Sequence, residues 1–215
     1  MAYSITKARK AKPRQVVTTQ GLITFDQFCD IVDEKVKADL LDGRIFRDSP
    51  AIPRHTHVVS RFSHLISSYA EQFNLGEVFG ATGTVRLSKY QGPEPDIFFI
   101  RKNRLHIMGE KYFNGPPDLC VEVISKSSRQ RDRGRKFVLY AEHGVKEYWI
   151  VDPLRNTVEF YENREGEWVE IKPDAQGRLH SKVLPGFWFN PKWLAKTLLP
   201  TASEMLQEIL GKNGL

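Results

Sequence analysis

The stretch "PDLCVEVISKSSRQRDRGRKFVLYAEHGVKEYWIVDP", Pro117 to Pro153, decides the fold. Two short apolar runs, "DLCVEVIS" and "KEYWIVDP", flank a segment of helical period. That order predicts a strand, a crossover helix and a second strand in one sheet. The helix carries a stripe of Lys136, Leu139, Tyr140 and His143 and ends at Gly144, a C′ glycine. Pro153 stops the second strand. Glu122 breaks the pattern: it sits mid-strand among Leu119, Val121, Val123 and Ile124. A carboxylate there is costly unless positive charge meets it. The strand itself holds no Lys or Arg. Lys136, on the helix face expected to lie on the sheet, can reach it, whereas Arg133 and Arg135 fall off that stripe.

Working outward, "GEVFGATGTVRLSK" and "PDIFFIRK" read as two further strands, making a three-strand meander with "DLCVEVIS". "RHTHVVSRFSHLISSYAEQFN" is amphipathic through Val58, Phe62, Leu65, Ile66, Tyr69 and Phe73, a long helix closing near Gly76. The core order is therefore α-β-β-β-α-β, an α/β (α+β) domain with one mixed sheet flanked by helices. Upstream lie a short helix and a hairpin. The helix is capped by Thr24 with Gln27 in the capping-box position and has a stripe of Phe25, Phe28, Ile31 and Val32. The hairpin turns at Asp42-Gly43. Downstream, "NTVEFYEN" and "EWVEIK" form a hairpin, and Ala202 to Leu210 a last helix. The expected division is a flexible basic arm at 1–20, one domain at 21–198 and a helical tail at 199–215.

The 215 residues, 40% hydrophobic and 27% charged, suit one globular domain. No apolar run approaches a membrane span, and the N-terminus lacks the apolar core of a signal peptide. Cys29 and Cys120 show no metal spacing and sit in apolar patterns, which predicts buried reduced thiols in a cytoplasmic protein. Of the net charge of +6, five come from Lys7, Arg9, Lys10, Lys12 and Arg14, so the body is nearly neutral. Such an arm is either a solubilising segment or a nucleic-acid arm.

"EPDIFFI" repeats the puzzle of Glu122. Asp96 opens an apolar strand with Glu94 beside it. On adjacent strands, Asp96 and Glu122 could converge at one edge of the sheet, where two carboxylates require a proton or a divalent cation between them. Oxygen ligands of this kind suit Mg²⁺ or Mn²⁺. The plainer alternative makes Asp96 a turn cap and Glu122 a structural partner of a lysine.

Taken together, "EPDIFFI", "PPDLCVEVIS", "RDRGRKFVLYAEHGVKEYWIVDP", "LLDG", "PRHTHVVSRF" and "LGEV" resemble the Uma-two-type putative restriction endonucleases of the PD-(D/E)XK nuclease superfamily. The resemblance runs from about Thr24 to about Phe189. It implies Pro95-Asp96 as the PD half of the motif and Glu122-Val123-Ile124 in place of the E-x-K half. Ile124 stands where the motif lysine belongs, and the implied replacement is Lys136 on the following helix. It further implies a Mg²⁺-dependent DNA endonuclease, with Asp96, Glu122 and the Val123 carbonyl as metal ligands and Lys136 as the catalytic lysine. His57 matches a family histidine that could touch the site, against the plainer reading of a structural helix histidine. Asp39, Asp42 and Glu94 are accessory acids, Asp42 being first a turn residue. Lys126, Arg129, Arg131, Arg133 and Arg135 form a basic run at the mouth of this site, either solvated or gripping phosphate. A homodimer suits a reaction that cuts both strands, though no interface motif marks one. The rival classes are a nucleic-acid-binding scaffold without turnover and, last, an oligomeric structural protein using Trp149, Phe187, Trp188 and Trp193 as exposed aromatics, since aromatics so placed are more often core.

Overall fold

The computed structural model describes residues 15–16, 21–33, 35–48, 51–80 and 82–211. In chain order these form β1 (Gln15–Val16), α1 (Phe25–Ile31), β2 (Ala38–Leu41), β3 (Arg44–Arg47), α2 (Pro53–Gln72), β4 (Gly76–Gly80), β5 (Val85–Arg86), β6 (Ile97–Arg101), β7 (Phe113–Asn114) and β8 (Leu119–Val123). A π-helical turn at Arg131–Arg135 then leads into α3 (Lys136–Glu142). After it come β9 (Glu147–Asp152), β10 (Thr157–Arg164), β11 (Glu167–Ile171), β12 (Leu179–His180), β13 (Trp188–Phe189) and α4 (Ala202–Ile209).

The central sheet has six strands in the order β11-β10-β9-β8-β6-β4. β4, β6 and β8 form the expected antiparallel meander, and β8 pairs parallel with β9 across the α3 crossover. β10 and β11 extend the sheet on the far side. Both faces are covered, which is why the central strands read as continuous apolar runs. Ile97, Phe99, Val121, Val123, Trp149 and Val151 pack with Val58, Phe62 and Leu65 of α2. Their neighbours Phe98, Ile100, Cys120, Ile124, Tyr148 and Ile150 pack with Tyr140 of α3. Side chains alternate along a strand, so Glu122 shares the α3 face with Cys120 and Ile124.

A third cluster joins α1 to the β2–β3 hairpin through Phe25, Phe28, Ala38, Leu40 and Ile45. The capping box of Thr24 and Gln27 is present. The hairpin is anchored to the rest by the Leu40–Gly92 bridge and by Phe25, whose ring lies where a Cβ on Gly92 would stand. β1 adds to the hairpin by pairing with β3. The expectations for the rest of the basic arm, 1–14 and 17–20, fall outside the described residues.

Several sequence expectations need correction. "GEVFGATGTVRLSK" is two strands: β4 ends at Gly80, and β5 leaves the sheet to pair with β7. Gly83 permits this departure, since a Cβ there would stand 2.7 Å from the Phe98 ring. α2 closes at Asn74, which takes the positive φ of 52° expected of a glycine, and Phe73 beyond the last turn is 46% exposed. Ile31 is likewise 50% exposed. Cys29 is exposed, off the Phe25–Phe28 stripe, while Cys120 is buried as expected. Trp149, Phe187, Trp188 and Trp193 all lie in the core, so they offer no exposed aromatic surface. Leu199, Ala202 and Met205 join that core and hold α4 against the domain. Among the described residues, no helix is long and apolar enough to cross a membrane.

Candidate functional site

Ile97 pairs with Val121 across the antiparallel β6–β8 ladder. Asp96 immediately precedes Ile97, and Glu122 immediately follows Val121, so the two acids stand at the same end of this ladder. Both line a cleft of about 690 Å³. Its walls come from the residues before β2, the first turn of α2, the loop after β8 and the π-helical turn.

Asp96 is 5% exposed. Its Oδ2 accepts a hydrogen bond of 2.8 Å from the Val123 amide and lies 3.5 Å from His55 Nε2, while Oδ1 carries the Lys37 ammonium. Burial works against its ionisation, but Lys37 and His55 outweigh it and hold the carboxyl well below the usual range. Against its own burial and the Lys37 charge, His55 is raised by Asp96, with help from the Val123 backbone.

Glu122 is 2% exposed. Its Oε1 accepts from Lys136 Nζ and from the Tyr140 hydroxyl, each at 2.8 Å. Lys136 and Tyr140 are four residues apart on one helix, so both project to the same point. Lys136 also pairs with Asp39 at 2.9 Å and is 1% exposed. Burial opposes its charge, yet Asp39 and Glu122 keep it protonated. Glu122 is pushed up by burial, with Asp96 and Asp39 adding to the shift. The π-helical turn ends immediately before Lys136; such bulges recur at functional sites.

Asp39 reaches this cluster because Ala38 and Leu40 face the hairpin core, which turns residue 39 the other way. Besides Lys136, it accepts from the Glu94 amide at 2.8 Å and pairs with Arg131 at 2.9 Å. Glu94 stands behind it as a brace: its carboxylate accepts from the Ala38 amide at 3.0 Å and the Thr84 hydroxyl at 2.7 Å. Burial pushes Glu94 up to about 7. Asp132, on the π-helical turn, also lines the cleft and is 1% exposed.

The structure thus brings Asp96, Glu122, Lys136 and Asp39 together, with Glu94 one layer back. His57 does not line the cleft: it lies beside Arg54 and Arg61, and desolvation and their charges lower its pKa. The histidine that reaches Asp96 is His55, two residues earlier on α2. Asp42 stays at the hairpin turn with a φ of 51°, accepting from Arg135 and Gln91.

The basic run does not form one patch. Arg129 pairs with Asp152 at 2.7 Å, and Arg133 is bidentate on Glu159 at 2.9 and 2.6 Å. Arg131 turns the other way to Asp39 and Asp48, and Arg135 to Asp42. Helical spacing explains the split, since residues 129 and 133 share one side. Lys126 is exposed on the cleft wall.

Sequence reasoning missed Lys37, His55 and Asp132. Lys37 stands two residues before Asp39, so strand alternation puts it on the same side; Asp132 precedes Lys136 by one turn.

The donor set fits a hard divalent cation. Asp96, Glu122 and the Val123 carbonyl offer oxygens only, and Lys37 shows that positive charge is welcome on Asp96. In the cluster, the five carboxyl groups of Asp39, Asp48, Asp96, Glu122 and Asp132 outnumber the three permanent cations Lys37, Arg131 and Lys136. Among the described residues, no three His, Cys, Asp or Glu side chains converge as a ready cage. Mg²⁺ does not need one, since it is usually held by one or two carboxylates with water and substrate phosphate.

The Uma2 family profile, described as "Putative restriction endonuclease", matches residues 24–194. An uncharacterized protein of Synechocystis, slr1290, is 26% identical over 155 residues, covering 70% of this chain and 80% of that protein. A crystal structure of a putative nuclease belonging to DUF820 from Anabaena variabilis superposes with a TM-score of 0.67 at 20% identity. That superposition covers 80% of this chain and 97% of the other, and it shows a shared fold.

Proposed function

The chain belongs to the Uma2 family of putative restriction endonucleases, and from that premise we propose that it is a metal-dependent endonuclease hydrolysing phosphodiester bonds of DNA. The observation that carries this reading is that Asp96 and Glu122, from adjacent strands, both line one open cleft. These carboxylates and the Val123 carbonyl would hold Mg²⁺ or Mn²⁺. When bound, such an ion polarises a phosphoryl oxygen and activates water at neutral pH.

The chain's own residues do the rest. The Val123 amide and His55 fix Asp96 through Oδ2 and leave Oδ1 to the cleft, where Lys37 now lies. Lys136 and Tyr140 fix Glu122 through Oε1 alone. Lys136 is 1% exposed and is not part of the cleft wall, so it acts through Glu122 as a positioning residue. Lys37 and Lys126 do line the cleft and supply the positive charge that meets a phosphate backbone.

The experiment is cleavage of supercoiled plasmid with Mg²⁺ or Mn²⁺ against an EDTA control, for the wild type, Asp96→Asn and Glu122→Gln. Metal-dependent nicking by the wild type alone supports the reading. A second reading, a nucleic-acid-binding protein without turnover, draws on the burial of Lys136. It predicts DNA binding with no metal-dependent loss of intact plasmid.

A further inference from the structure

Asp132 lies on the π-helical turn, lines the cleft with Glu122 and is 1% exposed. Neither of its carboxylate oxygens has a hydrogen-bond partner among the described residues. Buried polar groups are otherwise almost always paired, so an acid with two bare oxygens calls for a donor. The neighbours do not supply one. Lys136 Nζ stands 4.0 Å away and is committed to Glu122 and Asp39 at 2.8 and 2.9 Å. Arg131, next in the chain, turns to Asp39 and Asp48. The Ser128 hydroxyl, one turn earlier, does not meet hydrogen-bond geometry with it. Its oxygen accepts from the amide and hydroxyl of Ser125 at 3.1 and 3.0 Å.

Resting on the metal-dependent reading above, we propose that Asp132 is an outer-sphere ligand of the divalent ion, accepting hydrogen bonds from the water that the ion retains. Mg²⁺ sheds its water reluctantly and keeps several molecules when bound, and each is a strong donor. Mg²⁺ is usually held by one or two carboxylates, a number that Asp96 and Glu122 already fill, so a water between ion and carboxylate joins Asp132 to it. Its role is then to orient that water and to add to the pull on the ion. Groups one layer out from a metal typically contribute about 10- to 100-fold in affinity.

The test is calorimetric titration of Mn²⁺ into the full chain, for the wild type and Asp132→Asn. The expected result is a wild type that binds and a variant weakened about 10- to 100-fold. The metal-free variant should melt no lower than the wild type, because the swap removes a buried acid without donors. Equal Mn²⁺ affinity in the two proteins would reduce Asp132 to packing and overturn this inference alone. A wild type that binds no Mn²⁺ overturns the metal reading, and this inference with it. If Asp132→Asn does not fold, the wild type carries the test through hexaamminecobalt(III), whose fixed ammine donors mimic a hydration shell. Competition with Mn²⁺ supports the proposal, and its absence overturns it.

Discussion

Lys136 and Glu122, on a helix and on the strand it crosses, meet at 2.8 Å with 1% and 2% of their side chains exposed. Asp39 closes the group from the hairpin at 2.9 Å from the same amine. One buried cation therefore ties three separate pieces of chain together behind the cleft.

Removing that cation leaves Glu122 buried without an ion-pair partner and Asp39 with Arg131 alone. Lys136→Met should lower unfolding free energy by about 3–5 kcal/mol, the usual result of stripping one partner from a buried ion pair. Arg133→Ala breaks the Glu159 pair, whose side chains are 29% and 23% exposed, and should cost no more than about 1 kcal/mol. Urea denaturation of both variants reads the contrast. Similar losses would mean that the buried cluster is not a structural keystone.

Asp39 gives the cluster a pH signature. Burial works against its ionised form, but Lys136 and Arg131 outweigh it and hold the carboxyl below its ordinary value of 3.8. Stabilisation from such a depressed acid is complete above the unfolded value and lost as pH falls through the folded one. Melting temperatures should therefore drop in the wild type as the pH falls below about 4. Asp39→Asn should melt lower at neutral pH and show a shallower acid decline. Parallel curves would assign the acid loss to other groups.

Lys37 competes for Asp96. Its ammonium rests on the oxygen that faces the cleft, so a cation arriving there must displace it. Lys37→Met should bind Mn²⁺ at least about tenfold more tightly than the wild type, because like charges a few ångströms apart repel strongly at low effective dielectric. Plasmid cleavage by the same variant should fall, since Lys37 lines the cleft that the proposed function gives to the phosphate backbone. A variant with unchanged Mn²⁺ affinity would show that Lys37 and the ion use different oxygens.

The five basic residues between Lys7 and Arg14 carry most of the net charge. Deleting residues 1–14 should weaken DNA binding and flatten its dependence on salt, by about 0.9 in the log–log slope for each phosphate that the arm neutralises. Cleavage should persist at low salt. An identical slope would leave the arm without a role in binding.

The central sheet was legible because strands buried on both faces show as unbroken apolar runs, and the crossover helix between two of them admits one arrangement. Glu122 was legible for the opposite reason: it is polar where everything around it is not. Lys136 followed from helical spacing. His55 was missed for its neighbour His57 because both lie in the first turns of α2, and only packing decides which of them turns toward Asp96. Lys37 was missed because it comes from a hairpin whose docking depends on pairings as distant as Leu40 with Gly92. The basic run misled in another way. Its charge was visible in the sequence, but its acidic partners, Asp152, Glu159, Asp48 and Asp42, come from other elements.

The most direct measurement is an anomalous difference map from a crystal of this protein soaked in Mn²⁺. A metal site on the two carboxylates requires a peak bonded to one oxygen of Asp96 and one of Glu122, with Lys37 swung off Asp96. A map with no peak between those two side chains, or with manganese bound at some other cluster, would refute that site.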